Sequence, residues 1–493
     1  MRERRCVRAR SKQVRRAGRD RYDWPMRLLH AARDGHERGT DADAGWEDAA
    51  ARFLPALVES EKSSGLVRAI GRWTLTALVV NSIVGSGIFG LPSLVSGYVG
   101  RWSPLAYLIA AAIVAVIMGC FAEVASRFGE SGGPYLYARE AFGRFVGIEM
   151  CWLVWLVRLT AAAAAGNLFT NYLAEFWPDV TKPVIRLAVL TILIGFLALV
   201  NYRGVKSGAT VSNVFTVAKL VPLFSFAIAG GIFLLQTHPA IRSVVPTGRP
   251  VPLRNWLEVV LVIMFAYGGF EGAVVPMAEA KNPRRDAPFA LGTSLVTVAV
   301  LFCAIQYVVV AILPAAAATD RPLAVAARQM WGPPGAVLIT LGALISVYGY
   351  LSAQMLNTPR LTFALGERGD APALFSQIHP RFRTPHVSIF IFAGSVWCLA
   401  ALGNFKWNVL ISSAGRLFAY GVVCAALPAL RRKCPDAAAY RLPAGNFFAA
   451  LGILLMLVLV SRMQLGGWIV ILVTMAVAFV NWLWARNRTV VKG

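Results

Sequence analysis

Three glycines near the start of the hydrophobic part of the chain are spaced so that they could place backbone amides around an anion. In the stretch VGSGIFGLP, which begins at Val84, residues Gly85, Gly87 and Gly90 fit G-x-G-x-x-G. In a dinucleotide-binding fold this pattern follows a strand, opens a helix and precedes an acidic residue by about 20 positions. Here the first later acid is Glu123, and the motif lies within a long uncharged run. A nucleotide site is therefore not expected.

A second glycine-rich stretch, FAYGGFEG, has the same character and carries a charge, Glu271. Glycine and proline weaken a membrane-spanning helix, and opened backbone is tolerated there only where it is buried or lines a wet cavity. Close helix packing through small residues is the alternative for either stretch alone. Two such interruptions in corresponding positions favour an inverted-repeat transporter. Freed amides suit a carboxylate and freed carbonyls suit an ammonium group, a combination that α-amino acids carry.

Three basic residues lie well inside apolar segments and are the other candidates for chemistry: Arg158, Lys219 and Arg416. An ionisable group at membrane depth is costly, so it usually faces a cavity or a partner. The chain has no G-x-x-x-x-G-K-[ST] phosphate-binding loop and no H-E-x-x-H or C-x-x-C pattern. We therefore predict no catalytic residues, no metal site and no cofactor, and we do not expect an enzyme.

The elements that must position these residues are membrane helices. The chain has 493 residues, of which 57% are hydrophobic and only 15% charged, far from the balance of a soluble protein. About 20 apolar residues cross the hydrocarbon core. The sequence predicts an all-α integral membrane fold with twelve spans, near residues 73–99, 103–127, 145–172, 184–201, 211–235, 254–280, 289–313, 335–364, 386–403, 406–430, 443–461 and 465–486.

The basic residues indicate how the spans are oriented. The net charge is +24, and most of the excess lies in the N-terminal region and in every second loop. The positive-inside rule then places both termini in the cytoplasm of a cell-membrane protein. We expect residues 1–65 to be a disordered basic tail, 66–486 the transmembrane domain and 487–493 a short tail. Because the charge follows topology, nucleic acid is not an expected partner.

Residues 68–486 resemble the amino acid–polyamine–organocation (APC) transporter superfamily. The resemblance rests on IVGSGIFGLP in span 1, FTVAKLV in span 5, FAYGGFEG followed by EAKNPRRDAP after span 6, and the later segments NTPR and ERGDAP. It implies a five-plus-five inverted repeat with discontinuous spans 1 and 6, followed by two further helices. It also implies amino acids or related amines as substrates.

The resemblance implies roles for particular positions. Amides around Ser86 and Gly87 would hold the substrate carboxylate, and carbonyls near Ile83, Phe265 and Gly268 would take the ammonium group. An aromatic ring at Phe265 would close over the substrate, with a second ring supplied by span 8; plain helix packing is the alternative for both rings. The substrate-binding set it implies comprises Ile83, Gly85, Ser86, Gly87, Phe265, Ala266, Gly268 and Tyr348.

Four charged residues are candidates for coupling or gating. In similar proteins the lysine matching Lys219 reaches the opened backbone of helix 1, where sodium-coupled relatives bind sodium; a lysine merely reaching the membrane interface is the alternative. Glu271 is either a site acid that titrates or pairs with a gate, or an acceptor for freed amides, and the two roles can coexist. Arg158 either pairs with Glu271 or Glu149, or meets a second substrate carboxylate. Arg416 is interpreted as a packing or gating residue.

These observations favour a secondary amino acid transporter that uses proton symport or sodium-independent exchange. An exchanger of polyamines or other amines is the alternative within transport, and a membrane sensor of amino acids is the alternative outside it. The expected partners are an amino acid, a proton and the lipid bilayer.

Overall fold

In the computed structural model, the described residues are 71–128, 133–204, 209–237, 250–273, 282–313, 316–435, 438 and 440–489. The predicted N-terminal tail, 1–65, and the last four residues of the predicted C-terminal tail lie outside these ranges. Within them the chain forms helices and connecting turns, and no β-strand is present.

Sixteen α-helices lie in the described ranges. We number them in chain order: α1 Arg72–Ile83, α2 Gly87–Val99, α3 Ser103–Ala125, α4 Gly133–Phe142, α5 Arg144–Leu173, α6 Pro183–Arg203, α7 Ala209–Thr237, α8 Leu253–Tyr267, α9 Phe270–Ala273, α10 Pro283–Ile312, α11 Pro322–Asn357, α12 Pro359–Glu367, α13 His386–Leu402, α14 Phe405–Lys433, α15 Gly445–Val460 and α16 Leu465–Thr489.

Nine helical stretches of the described chain are long and apolar enough to cross a membrane. Two shorter apolar helices, α13 and α15, cover the predicted ninth and eleventh spans. The predicted all-α membrane class is therefore confirmed, while the number of twelve spans and the repeat symmetry stay predictions.

Both predicted interruptions are present in the structure. α1 ends at Ile83 and α2 begins at Gly87, and α8 ends at Tyr267 before the short α9 begins at Phe270. Around them, α14 packs along α5, while α10 packs along both α1 and α3.

One span differs from its prediction because of prolines. Span 8 was expected at 335–364, but α11 begins earlier, at Pro322, and a new helix, α12, starts at Pro359. Within α11, Gly332 takes φ +69° and ψ −163° immediately before two prolines, which kinks the helix. Proline removes a backbone donor and clashes with the preceding turn, so it interrupts the ladder of hydrogen bonds.

A buried carboxylate fastens the segment after α12 to three helices. Asp370 is 1% exposed, and its Oδ1 lies 2.6 Å from Arg144 Nε at the start of α5. Its Oδ2 lies 2.5 Å from Arg139 Nη1 and accepts from the Tyr135 hydroxyl at 2.9 Å, both on α4. The Asn481 amide on α16 donates to the Asp370 carbonyl at 2.7 Å. A buried carboxylate needs such partners, because an unpaired buried charge is strongly destabilising.

Candidate functional site

The interruption between α1 and α2 leaves backbone donors inside the bundle. Val84 departs from helical geometry, with ψ 97°. Ser86, which precedes α2 and is 2% exposed, makes no side-chain cap to the helix. The amides of Gly87 and Ile88 open α2 and therefore have no acceptor within their own helix. Such buried amides at the positive end of a helix favour an anion.

In the interruption after α8, the side chains of Glu271 and Ser82 hydrogen-bond to the backbone of Gly269. The Gly269 amide donates to Glu271 Oε2 at 2.8 Å, and the Gly269 carbonyl accepts from the Ser82 hydroxyl at 2.5 Å. Its φ of +109° favours glycine, and a Cβ there would lie 2.2 Å from the Ser82 carbonyl oxygen. The unwound residue is thus fully satisfied without a helix, and no other residue type fits.

The two interruptions contact each other. A Cβ on Gly87 would lie 3.0 Å from the Ala266 Cα and 3.3 Å from Phe265 Cδ1. The hydrogen bond between Ser82 and Gly269 joins them on the other side of the break. The structure therefore brings together seven of the eight positions that the sequence assigned to substrate binding: Ile83, Gly85, Ser86, Gly87, Phe265, Ala266 and Gly268.

Lys219 joins the middle of α7 to the end of α1. Its Nζ lies 2.6 Å from the Asn81 carbonyl oxygen and 2.6 Å from the Val84 carbonyl oxygen. These carbonyls lie at the C-terminal end of α1, where the helix dipole favours a positive charge. The ammonium group therefore links α7 to the opened backbone of span 1.

Glu271 is a shared acceptor for three groups. Its Oε2 accepts from the Gly269 amide at 2.8 Å and from the Tyr420 hydroxyl at 3.1 Å. Its Oε1 lies 3.3 Å from Arg416 Nη1. Both side chains of this ion pair are mostly buried. Glu271 therefore satisfies a freed amide and pairs with Arg416 on α14, and its role in coupling or gating stays a prediction.

Arg416 pairs with Glu271, a contact that was not predicted from the sequence. Its guanidinium stands against the second interruption, so that a Cβ on Gly268 would lie only 1.1 Å from Nη1. Its Cζ also lies 5.8 Å from the centre of the Phe265 ring. The signal available in the sequence was its charge, because a lone cation within a span needs a partner. Nothing in the sequence indicated that the partner would be Glu271.

Arg158 forms neither of the ion pairs considered from the sequence. In the described part of the chain it has no hydrogen bond and no ion pair, although it lies close enough to Glu271 and Arg416 to sense their charges. Glu271 is already paired with Arg416. Glu149 lies nine residues away on the same helix, about 13 Å along its axis. Arg158 as a whole is partly buried.

Tyr350 supplies an aromatic ring beside the first interruption. A Cβ on Gly85 would lie 3.6 Å from Tyr350 Cδ2, and the Gln354 amide holds the Tyr350 hydroxyl at 2.8 Å. Residues two apart on an α-helix point about 200° away from each other. Tyr348 therefore points to a different side of α11 from Tyr350, and its role as a second wall stays a prediction.

Phe405 covers the site from one end of the bundle. Its ring packs edge-on against Phe265, with centroids 6.4 Å apart and an interplanar angle of 85°. It also fills the space beside Gly90, where a Cβ would lie 2.5 Å from Phe405 Cζ. Glycine is needed at position 90, the third glycine of the motif, because the Phe405 ring fills the space that a side chain there would occupy.

Comparison with known proteins identifies the family of the chain. A family model described as "Amino acid permease" matches residues 70–485. The chain is 28% identical to the serine/threonine exchanger SteT of Bacillus subtilis (strain 168) over 66% of this chain and 75% of that protein.

Two further relatives from the same organism cover more of the chain. The methylthioribose transporter is 26% identical over 79% of this chain and 87% of its own length. The branched-chain amino acid permease BcaP is 24% identical over 87% of this chain and 93% of its own length. All three relatives are named as membrane carriers and not as enzymes, as expected here. The chain belongs to the amino acid permease family and is a multi-pass membrane protein of the APC superfamily.

Proposed function

We propose that the protein is a secondary active transporter that moves amino acids across the cell membrane by alternating access. The observation that carries this proposal is the contact between two interrupted helices, at Gly87 and Ala266. Opened backbone from two spans at one place is the arrangement expected of a midplane transport site. The proposal includes twelve spans, a five-plus-five inverted repeat and cytoplasmic termini.

The backbone of the site suits an α-amino acid. The amides at Ser86 and Gly87 supply donors for the carboxylate, and the carbonyls of Ile83 and Phe265 supply acceptors for the ammonium group. The Gly268 carbonyl is the weakest member of the acceptor set, because the Arg416 guanidinium already stands beside that residue. Phe265 and Tyr350 provide aromatic surfaces next to the two interruptions.

Lys219 takes the place of a coupling cation. Its ammonium group bonds to two carbonyls of the opened span 1, and a metal cation would need those same oxygen atoms. We therefore propose transport without sodium, either as proton symport or as exchange. Gain and loss of a proton at Lys219 would make and break these two hydrogen bonds, which gives a route from protonation to helix movement.

An exchanger of polyamines is a weaker alternative. A polyamine needs free acidic groups, whereas Glu271 already accepts from Arg416, Tyr420 and Gly269. A membrane sensor that binds amino acids without moving them would have the same binding geometry, so only flux distinguishes it. The name of the methylthioribose transporter shows that a related protein carries something other than an amino acid.

Uptake by the purified full chain in proteoliposomes tests the proposal. A panel of labelled amino acids, a polyamine and methylthioribose is measured with and without an imposed pH gradient, and with sodium replaced by choline. We expect saturable uptake of at least one amino acid that survives sodium removal. Binding without uptake or counterflow would favour the sensor, and strict dependence on sodium would overturn the role of Lys219.

A further inference from the structure

Three exposed arginines lie where α6 ends and where the chain enters α13. Arg203 is the last residue of α6, and Arg381 and Arg383 belong to the loop that precedes His386, the first residue of α13. The helices α6 and α13 pack against each other. We refer to Arg203, Arg381 and Arg383 as the basic rim. None of the residues that the sequence assigned to substrate binding, coupling or gating belongs to it.

Contacts of Tyr202 hold the two parts of the basic rim side by side. The centre of the Tyr202 ring lies 5.1 Å from that of His379 and 5.2 Å from that of Phe382. The Tyr202 hydroxyl is 3.0 Å from His379 Nε2, and the Thr384 hydroxyl donates to the Tyr202 carbonyl at 2.8 Å. Because Tyr202 immediately precedes Arg203, these contacts fix the loop beside the end of α6.

The loop before α13 has a backbone conformation that its hydrogen bonds enforce. Arg383 has φ +56°, in the left-handed region that residues other than glycine seldom adopt. His379 Nδ1 accepts from the amides of Arg381 and Phe382, both at 3.2 Å. The His379 carbonyl accepts from the Arg383 amide at 3.0 Å, and the His379 amide donates to the Thr384 carbonyl at 2.9 Å. Strained residues held in this way cluster at functional positions, and a fixed loop loses less freedom when it binds a ligand.

No acidic residue on these elements offsets the charge of the basic rim. The sequence has no aspartate or glutamate in 183–204 or in 371–402. Asp370, just before the loop, is buried and already paired with two other arginines. Glu367, on α12, is exposed and forms no ion pair with the rim in the described part of the chain. The rim therefore presents three positive charges that a negatively charged ligand can neutralise.

Exposed apolar side chains border the basic rim. Phe196 and Leu199 on α6 and Phe390 on α13 are each about half exposed. α6 is long and apolar enough to cross a membrane, and Arg203 is its last residue. The rim consequently lies at the level where the hydrocarbon of a bilayer gives way to the headgroups. A ligand that fits this surface carries a negative charge next to apolar chains.

We propose that the basic rim binds the phosphate of an anionic glycerophospholipid. The arginines bind the phosphate oxygens, and the exposed faces of α6 and α13 contact the acyl chains. With cytoplasmic termini, the lipid belongs to the cytoplasmic leaflet, whose surface is negatively charged. Membrane topology alone accounts for basic residues on this side, but it requires neither the fixed loop conformation nor the absence of acids. The proposed lipid site is separate from the transported substrate.

Lipid titration of the purified full chain tests the basic rim. The delipidated protein is kept in detergent, and native mass spectrometry measures binding of palmitoyl-oleoyl phosphatidylglycerol, of phosphatidylcholine with the same chains, and of glycerol phosphate. We expect the wild type to bind phosphatidylglycerol at least about tenfold more tightly than phosphatidylcholine. Each arginine near a membrane surface contributes about fivefold in affinity, so Arg381→Gln/Arg383→Asn should weaken binding of phosphatidylglycerol by about 30-fold. Asparagine is chosen at position 383 because it tolerates the left-handed conformation.

Two single variants complete the experiment. Arg203→Gln lies on a helix and leaves the loop intact, so its expected loss of about fivefold does not depend on the loop's folding. Arg462→Gln is the matched control, because it removes an exposed arginine from the turn between α15 and α16, and it should bind phosphatidylglycerol like the wild type. Equal affinity for the two lipids, or wild-type affinity in the double variant, would overturn the lipid site. Glycerol phosphate bound as tightly as phosphatidylglycerol would also overturn it, in favour of a soluble phosphate ligand. None of these outcomes bears on amino acid uptake, which the proteoliposome panel tests separately.

Discussion

Replacing Lys219 by methionine removes the ammonium group and keeps a side chain of similar length. Two hydrogen bonds of 2.6 Å, to the carbonyls of Asn81 and Val84, are lost. A hydrogen bond that involves a charged group contributes about 1.5–3 kcal/mol, so the pair contributes about 3–6 kcal/mol. Lys219 is partly exposed, and we therefore take the lower end, about 3 kcal/mol.

This free energy is lost only from states in which the ammonium group contacts span 1. A loss of about 3 kcal/mol shifts the balance between such states and those without the contact by about 100-fold. We expect Lys219→Met to lower the initial uptake rate by about that factor, and any remaining uptake to respond no longer to an imposed pH gradient. The assay is uptake into proteoliposomes, with and without the gradient, in choline buffer.

Two matched variants separate this effect from general damage. Lys182→Met removes a lysine whose ammonium group is exposed and paired with Asp179 at 2.7 Å, a surface interaction worth about 0–1 kcal/mol, and its uptake should match the wild type. Lys219→Arg retains the charge and should preserve more uptake than the methionine variant. Wild-type uptake by Lys219→Met, still driven by the pH gradient, would refute the coupling role.

Three further predictions concern the fixed parts of the bundle. Glu271→Gln keeps an acceptor for the Gly269 amide but leaves the buried Arg416 without its counter-charge, so uptake should fall at least about tenfold and the melting temperature should drop. Gly269→Ala should abolish folding or uptake, because the φ of Gly269 is +109° and the added Cβ would meet the backbone of Ser82. Gly292→Ala is the control: Gly292 faces open space on α10, so the melting temperature should stay unchanged or rise slightly. Asp370→Asn should lower stability by about 3–5 kcal/mol, measured as denaturation in detergent, because two arginines lose a shared carboxylate.

The interruptions were predictable because they depend on local chemistry. Glycine and proline weaken a helix wherever they stand, and the stretches around Gly87 and Gly269 contain several such residues within a few positions. The contact of Lys219 with span 1 came from the family resemblance, since no local rule links residues 135 positions apart. The all-helical class followed from composition and the length of the apolar runs.

The pairing of charges was not predictable in the same way. Glu271 had two candidate arginines on other helices, and the choice depends on how α5 and α14 are rotated about their axes. Periodicity places Arg416 and Arg158 on helices but does not rank their distances from one carboxylate. The same limit applies to Tyr350, which the sequence did not single out, because two residues along a helix turn a side chain to nearly the opposite side.

The charges around the interruptions also constrain the substrate. Three cations, Arg158, Lys219 and Arg416, lie near the opened backbone, and Glu271, the acid that reaches it, is fully engaged. A substrate that carries ammonium groups and no carboxylate would add to the positive charge already present in this region. Such unpaired charge is costly where water is scarce. A ligand that carries a carboxylate offsets that excess and meets the free amides of α2. The same balance that argues against polyamines therefore favours amino acids. It also gives two glycines of VGSGIFGLP a role, since Gly85 and Gly87 lie where the backbone opens and where a negative charge is favoured.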